Sequence, residues 1–250
     1  MTISEVRATA APHRGRLTAL RPAGRLPVRG ADRSTEVYGR ALLSRLTAAG
    51  GARWRLRDTA DRLTALDAEL DRWLGPCGPA DRSVLDRCTG ATLDVGCGPG
   101  RLVAALAAAG RTALGVDVSD VAVRLTRRRG GDALTADVFA PLPAEGRWDD
   151  VLLLDGNVGI GGDPDRLVRR CAALLAPGGS LLVELDAPGR ASGTVRLRLE
   201  RGPAGAEETG SWFAWARLSV DDVARVAAGA GLRVASVWSE EDRWFADLVR

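Results

Sequence analysis

Three alternate glycines, Gly96, Gly98 and Gly100, follow an apolar run from Ala91 to Val95, and a helix-forming stretch begins at Arg101. A residue without a Cβ lets the backbone turn sharply and lets a ligand lie against it. The pattern predicts a buried strand that bends into a helix at a ligand cleft. Asp94 puts a carboxylate beside that opening, and the small Cys97 sits inside the turn. A second apolar run, Ala113 to Val116, ends in Asp117. An acid one strand away from the glycine turn suits a ribose diol, because one carboxylate accepts both hydroxyl hydrogens. The chemistry on offer is therefore the holding of a nucleotide-type cofactor. A dinucleotide wants its glycines spaced G-x-G-x-x-G, with the pyrophosphate on the helix N-terminus; here the third glycine falls one place earlier.

The run Asp94-Val95-Gly96-Cys97-Gly98-Pro99-Gly100 resembles motif I of the class I S-adenosylmethionine (SAM) methyltransferases, whose usual form is D/E-x-G-x-G-x-G. The resemblance covers about residues 90–250 and is clearest over 91–186. It implies SAM as the cofactor. Asp94, Gly96, Cys97, Gly98 and Gly100 would meet the methionine arm, and Asp117 with Val118 the ribose. Asp137 and Val138, in Ala136-Asp137-Val138-Phe139, would meet the adenine, and Asp155, Gly156 and Asn157 would lie beside the sulfonium. Pro177-Gly178-Gly179 resembles the family's turn before strand five. Methyl transfer is an in-line displacement in which the protein mainly supplies position and a dry, shaped site.

The acceptor is less legible. The single histidine is His13, far from the motifs, so a carboxylate is the candidate general base and Asp155 is the first of them. Tyr38, in a helix expected to fold over the pocket, and Trp212 and Trp215, on a hairpin, are the expected acceptor-lining residues. The glycines at 156, 159, 161 and 162 suggest a close approach of substrate or cofactor. No Asn/Asp-Pro-Pro-Tyr/Phe tetrapeptide and no Pro-Cys pair follows strand four, which disfavours methylation of nucleic-acid bases. No metal is expected: Cys77, Cys88, Cys97 and Cys171 lack ligand spacing, and Asp186 is followed by Ala187 rather than by the amide of metal-dependent catechol-type enzymes. The expected partner is a small-molecule acceptor. An RNA or other nucleic-acid methyltransferase, or a non-catalytic SAM-binding protein, are the alternatives.

The elements that must position these residues follow from periodicity. From Ala91 onward apolar runs of four to seven residues alternate with amphipathic helical stretches, the sign of a parallel sheet covered on both faces. The expected fold class is α/β: a doubly wound, mostly parallel seven-stranded sheet with an antiparallel edge strand, an N-terminal helical cap and a β-hairpin insertion. Three divisions are expected: a disordered basic tail over 1–33, a helical cap over 34–90, and the core over 91–250 with the hairpin at 193–217. In the cap, Ser34 or Thr35 would start one helix, and a second would follow Asp58 with Leu63, Leu66, Leu70, Trp73 and Leu74 on one face. At the other end of the core, Asp163 reads as a helix cap.

Charge adds little to this reading. The net charge is +3, every one of the 35 basic residues is arginine, and residues 1–33 hold seven of them against Glu5 and Asp32. The basic character belongs to the tail, which is read as a leader rather than a nucleic-acid anchor. No apolar stretch reaches membrane-spanning length, and a cytoplasmic enzyme with free thiols is expected.

Overall fold

The computed structural model describes residues 32–47, 53–202 and 207–250. His13 and nearly all of the expected basic tail lie outside them. The described chain begins with α1 (Arg33–Leu46). Its N-cap is Asp32, which accepts from the backbone N–H of Ser34 and Thr35 at 3.0 and 3.1 Å, so neither hydroxyl residue caps the helix as expected.

The region that follows departs from an all-helical cap. Trp54–Asp58 form β1 and Leu63–Ala65 form β2, an antiparallel pair, and only then come α2 (Asp67–Leu74) and α3 (Pro79–Leu85). The expected second helix is thus shorter and starts beyond Leu66. Trp54-Arg55-Leu56-Arg57 alternates apolar and charged residues, the period of a half-buried strand. Its backbone groups pair with a distant strand, which a sequence window does not contain.

The core elements run β3 (Thr92–Val95), α4 (Arg101–Ala108), β4 (Ala113–Asp117), α5 (Asp120–Arg128), β5 (Asp132–Thr135), β6 (Trp148–Leu153), a 3-10 segment (Asn157–Gly162), α6 (Pro164–Leu174) and β7 (Leu175–Leu185). Then come β8 (Gly193–Arg201), β9 (Glu208–Thr209), β10 (Phe213–Arg217), α7 (Val220–Gly229), β11 (Arg233–Glu240) and β12 (Arg243–Val249). Seven strands form one sheet in the order β11-β12-β7-β6-β3-β4-β5. Neighbours from β7 through to β5 are parallel, while β12 is antiparallel to both β7 and the edge strand β11. Strand residues alternate between two buried faces. Val151, Leu153, Leu181 and Val183 pack with α6 and α7; Leu152, Leu154, Leu182 and Phe245 pack with α3 and α4. Burial on both faces explains the near-continuous apolar runs of a parallel sheet. Asp163 caps α6 as expected, accepting from Arg166 N–H at 3.0 Å.

The expected hairpin at 193–217 is part of a second sheet. β8 pairs with β10, β9 and β1, giving a five-stranded antiparallel sheet of order β10-β8-β1-β2 with β9 on β8. The cap and the insertion are therefore one structure, built from chain segments about 140 residues apart and joined in register from Trp54↔Arg201 to Asp58↔Leu197.

This second sheet docks on the glycine-rich segment after β6. A Cβ on Gly159 would collide with the Ala216 carbonyl and the Trp215 indole, and one on Gly162 would press on Ala214. Thr194 Oγ1 donates to Gly162 O at 2.7 Å. The group that comes close at Gly159 and Gly162 is thus β10 rather than a ligand. Gly159→Val should force the sheets apart and lower stability by about 1–3 kcal/mol. Denaturant unfolding with an unchanged midpoint would rule out the close docking.

Candidate functional site

A cavity of about 560 Å³ lies between the two sheets, within the usual size range of small-molecule sites. Its floor is the C-terminal ends of β3 to β6, where open α/β sheets bind ligands. Its roof is α1, α2 and the inner face of the second sheet. Gly96, Cys97 and Gly98, Asp117 and Val118, Asp137 and Val138, and Asp155 and Asn157 all line it. Tyr38 and Trp215 line it from the roof.

The floor is held by local hydrogen bonds. Asp117 is 7% exposed and accepts from Gly98 N–H at 3.0 Å and Ser119 N–H at 2.8 Å. Burial pushes its carboxyl up to about 6, against the pull of those two donors. Asp137 accepts from Phe139 N–H at 2.9 Å. Asn157 turns back and donates to the carbonyls of Val95 and Gly96 at 3.0 and 2.9 Å, tying the loop after β6 to the end of β3. At Gly98 φ is +54°, and an added Cβ would stand 3.2 Å from the Tyr38 hydroxyl, so a side chain here would crowd Tyr38 from below. Burial, reinforced by the nearby Asp117 and Asp155, holds the Tyr38 phenol neutral, well above the usual tyrosine range.

Four expected site residues do not reach the cavity wall. Asp94 lies beneath the glycine turn, with its Oδ2 buried and without a partner among the described residues. Burial pushes its carboxyl up to about 7, although Arg101 pulls the other way. Gly100 lies against Thr126, which an added Cβ would strike. Gly156 turns the chain at φ +77° without lining the cavity. Trp212 lies under the Arg198 guanidinium, 4.7 Å from its ring centre, outside the cavity. Of the two hairpin tryptophans, Trp215 is the one that faces inward, with Phe213 beside it.

Asp155 requires a different role from the one expected. Its φ is +57°, and Arg101 donates to both of its oxygens, at 2.5 and 3.0 Å. Arg243 adds a bond at 3.2 Å, and Arg72 stands 3.5 Å away. A carboxylate whose two oxygens already face guanidinium groups is placed for charge pairing rather than for taking a proton from an acceptor. The same arginines clamp Asp81: Arg101 at 2.7 and 2.9 Å, Arg243 at 2.8 Å. Burial would raise the Asp81 carboxyl, but the two cations dominate and hold it well below the usual carboxylate range. Arg243 also grips Glu184 through two bonds of 2.8 and 2.7 Å, and Glu184 accepts from the Asp155 N–H at 2.6 Å.

This charge network escaped the reading of motifs. One signal for it existed. Arg101 stands in the first turn of α4, where the helix dipole disfavours a cation, so an arginine there calls for acids around it. Leu56, Glu69 and Trp73, which line the roof, also escaped: a helical cap was expected over the pocket, but β1 was not, and the helical stripe does not say which residues face the cleft.

Residues 92–179 match the family model described as a methyltransferase domain. Among curated proteins, a ubiquinone biosynthesis O-methyltransferase from Bordetella avium is 34% identical over 94 residues, spanning 35% of this chain and 39% of that protein. A trans-aconitate 2-methyltransferase from Paracidovorax citrulli is 32% identical over 97 residues, 37% of each chain. The chain thus matches these curated relatives over about two fifths of their length. Among solved structures, a SAM-dependent methyltransferase from Bacteroides fragilis, in complex with S-adenosylhomocysteine, superposes with a TM-score of 0.72 over 87% of this chain and 96% of that one, at 21% identity. The chain has the methyltransferase fold.

Arg243→Ala would leave Asp81, Asp155 and Glu184 with fewer counter-charges in a buried place. It should cost about 3–5 kcal/mol in chemical unfolding, and a loss below about 1 kcal/mol would show that the network is not holding the fold. Asp94 gives the opposite pH sign from a salt-bridged acid. Its raised carboxyl favours the folded state at low pH, and this contribution fades as pH rises through about 7. Asp94→Asn should therefore flatten the decline in melting temperature between pH 5 and pH 8 relative to wild type; parallel curves would contradict the assignment.

Proposed function

We propose that this chain is a SAM-dependent methyltransferase acting on a small-molecule acceptor in the cytoplasm. The observation that carries the reading is the pairing of Asp117 with the bare backbone at Gly98 across one cavity wall. Two tests of fit favour SAM there. Gly98 and Tyr38 line the cavity together, and a Cβ on Gly98 would stand 3.2 Å from the Tyr38 hydroxyl and narrow the gap between them. The Asp117 carboxylate is anchored by two backbone N–H groups and still borders the cavity, which suits a ribose diol. In this reading Asp137 and Val138, which line the cavity, meet the adenine, and the backbone of Gly96 to Gly98 meets the methionine arm. When bound, SAM supplies a methyl group on a positively charged sulfur. The chain's own part is to orient and to exclude water. Asn157 keeps the loops after β3 and β6 together, and Tyr38, Trp73 and Trp215 close the space above them.

A small acceptor is supported by the roof. α1, α2 and the second sheet cover the cleft with the chain's own residues, leaving a pocket rather than an open groove for a duplex. The curated relatives named above, which are called a ubiquinone biosynthesis and a trans-aconitate methyltransferase, point the same way. Among the described residues no helix is long and apolar enough to cross a membrane.

The direct test is transfer of a labelled methyl group from SAM into a cell extract, read by mass spectrometry; a folded protein that transfers none would leave only a binding role. For the site itself, Asp117→Ala should weaken S-adenosylhomocysteine binding by about 1–3 kcal/mol in calorimetry. Because burial places the Asp117 carboxyl at about 6, wild-type affinity should also fall as pH drops through that value, and Asp117→Asn should show no such fall. Full affinity in Asp117→Ala would overturn the ribose assignment.

A further inference from the structure

Four carboxylates line the cavity, and three of them are engaged. Asp117 and Asp137 accept backbone N–H groups, and Asp155 faces guanidinium groups. The fourth is Glu69, half-buried on α2, and it forms no hydrogen bond or ion pair with any described residue. Its place is defined from both sides. One turn further along α2, Arg72 reaches Asp155 at the end of β6, and Trp73 meets Tyr38 edge to face with ring centres 6.2 Å apart. α2 therefore crosses above the point where β6 ends, the same end of the cavity to which the SAM reading assigns the sulfonium. The roof that carries Glu69 also contributes Leu56, Leu66, Leu199 and Phe213, members of one apolar cluster, to the cavity lining.

A charged side chain left unpaired in such a wall selects what enters. A cationic group brings the missing partner and gains a charge-assisted hydrogen bond; an anionic group is repelled. The guanidinium that borders the cavity, Arg101, offers an anion nothing, because its donors face Asp81 and Asp155. Trp73 and Trp215 also line the cavity, and an aromatic ring attracts a cation over its face.

Building on the methyltransferase reading, we propose that Glu69 anchors the acceptor and that the acceptor is a basic amine carried on an apolar, ring-bearing framework. The amine pairs with the Glu69 carboxylate while the framework lies among the leucines and aromatic rings of the roof. Glu69 is thus the specificity-determining residue of the acceptor end, and carboxylate-rich acceptors are excluded from this cavity.

The test uses the full chain loaded with S-adenosylhomocysteine and three probes on one framework: 2-phenylethylamine, 2-phenylethanol and 3-phenylpropionate. Calorimetry on wild type should show the amine binding about tenfold more tightly than the alcohol, the scale of one hydrogen bond to a charged group, and the acid not at all. In Glu69→Gln, which keeps the shape and removes the charge, the preference for the amine over the alcohol should vanish while affinity for S-adenosylhomocysteine stays at the wild-type value. A wild type that binds the acid as well as the amine, or that shows no preference for the amine, overturns the proposal; so does a Glu69→Gln protein that keeps the preference. The two readings fail separately. Absence of S-adenosylhomocysteine binding in wild type removes the cofactor assignment, whereas normal binding of it with no amine preference removes the role of Glu69 alone.

Discussion

Two arginines, Arg101 buried and Arg243 half-buried, hold the cavity end of this molecule together. Arg101 opens α4, Arg243 opens β12, and between them they engage Asp81 on α3, Asp155 after β6 and Glu184 on β7. Five elements distant in sequence meet in one set of guanidinium–carboxylate contacts. Buried ion pairs of this sort are a weak source of net stability, because desolvating each charge offsets most of the attraction. They are demanding about geometry, however, because a misplaced element leaves a charge buried alone. The planar guanidinium, with donors in a fixed fork, suits a junction that must satisfy several carboxylates at once. Asp155 is held in this way in a left-handed backbone conformation, and the turn it begins delivers Asn157 to the end of β3.

The cavity depends on that junction on one side and on the second sheet on the other. β1, β2, β8 and β10 together make the roof, and the sheet sits close because Gly159 and Gly162 let β10 come within backbone distance of the loop after β6. In the turn after β3, Gly96 and Gly98 border the cavity while Gly100 lies against Thr126; after β6, Gly161 borders the cavity while Gly159 and Gly162 receive β10. The same residue type therefore has two physical functions a few ångströms apart, and only the neighbouring atoms distinguish them.

The acids around the cleft are likewise separated by environment. Asp94 and Asp117 sit at the ends of adjacent strands, and burial raises both carboxyls, to about 7 and about 6. Asp117 is anchored by two backbone donors and borders the cavity; Asp94 keeps a buried oxygen unpartnered below it. Asp81, equally buried, is pulled the other way by its arginines. Asp155 faces the same arginines, and Glu69 faces none among the described residues. Position in the fold, rather than residue type, assigns each carboxylate its chemistry.

Much of the core was legible in the chain itself. The period of apolar runs, the glycine spacing at 96, 98 and 100, and the acids closing β4 and following β5 are local signals, set by backbone sterics and by burial of a parallel sheet on both faces. They sufficed to place the sheet and to bring Gly98 and Asp117 to one cleft, while Asp137 and Asn157 were expected there through the resemblance to the methyltransferases. What tertiary structure alone decided is non-local. β1 is a strand because β8, about 140 residues later, supplies its hydrogen bonds. Trp215 faces the cavity and Trp212 an arginine because sheet register selects the face. Asp155 is a counter-ion and Glu69 is unpaired among the described residues because Arg101 and Arg243, brought from opposite ends of the core, reach the first and not the second. Pairing and charge compensation between distant segments are properties of the assembled chain, and no window of sequence contains both partners.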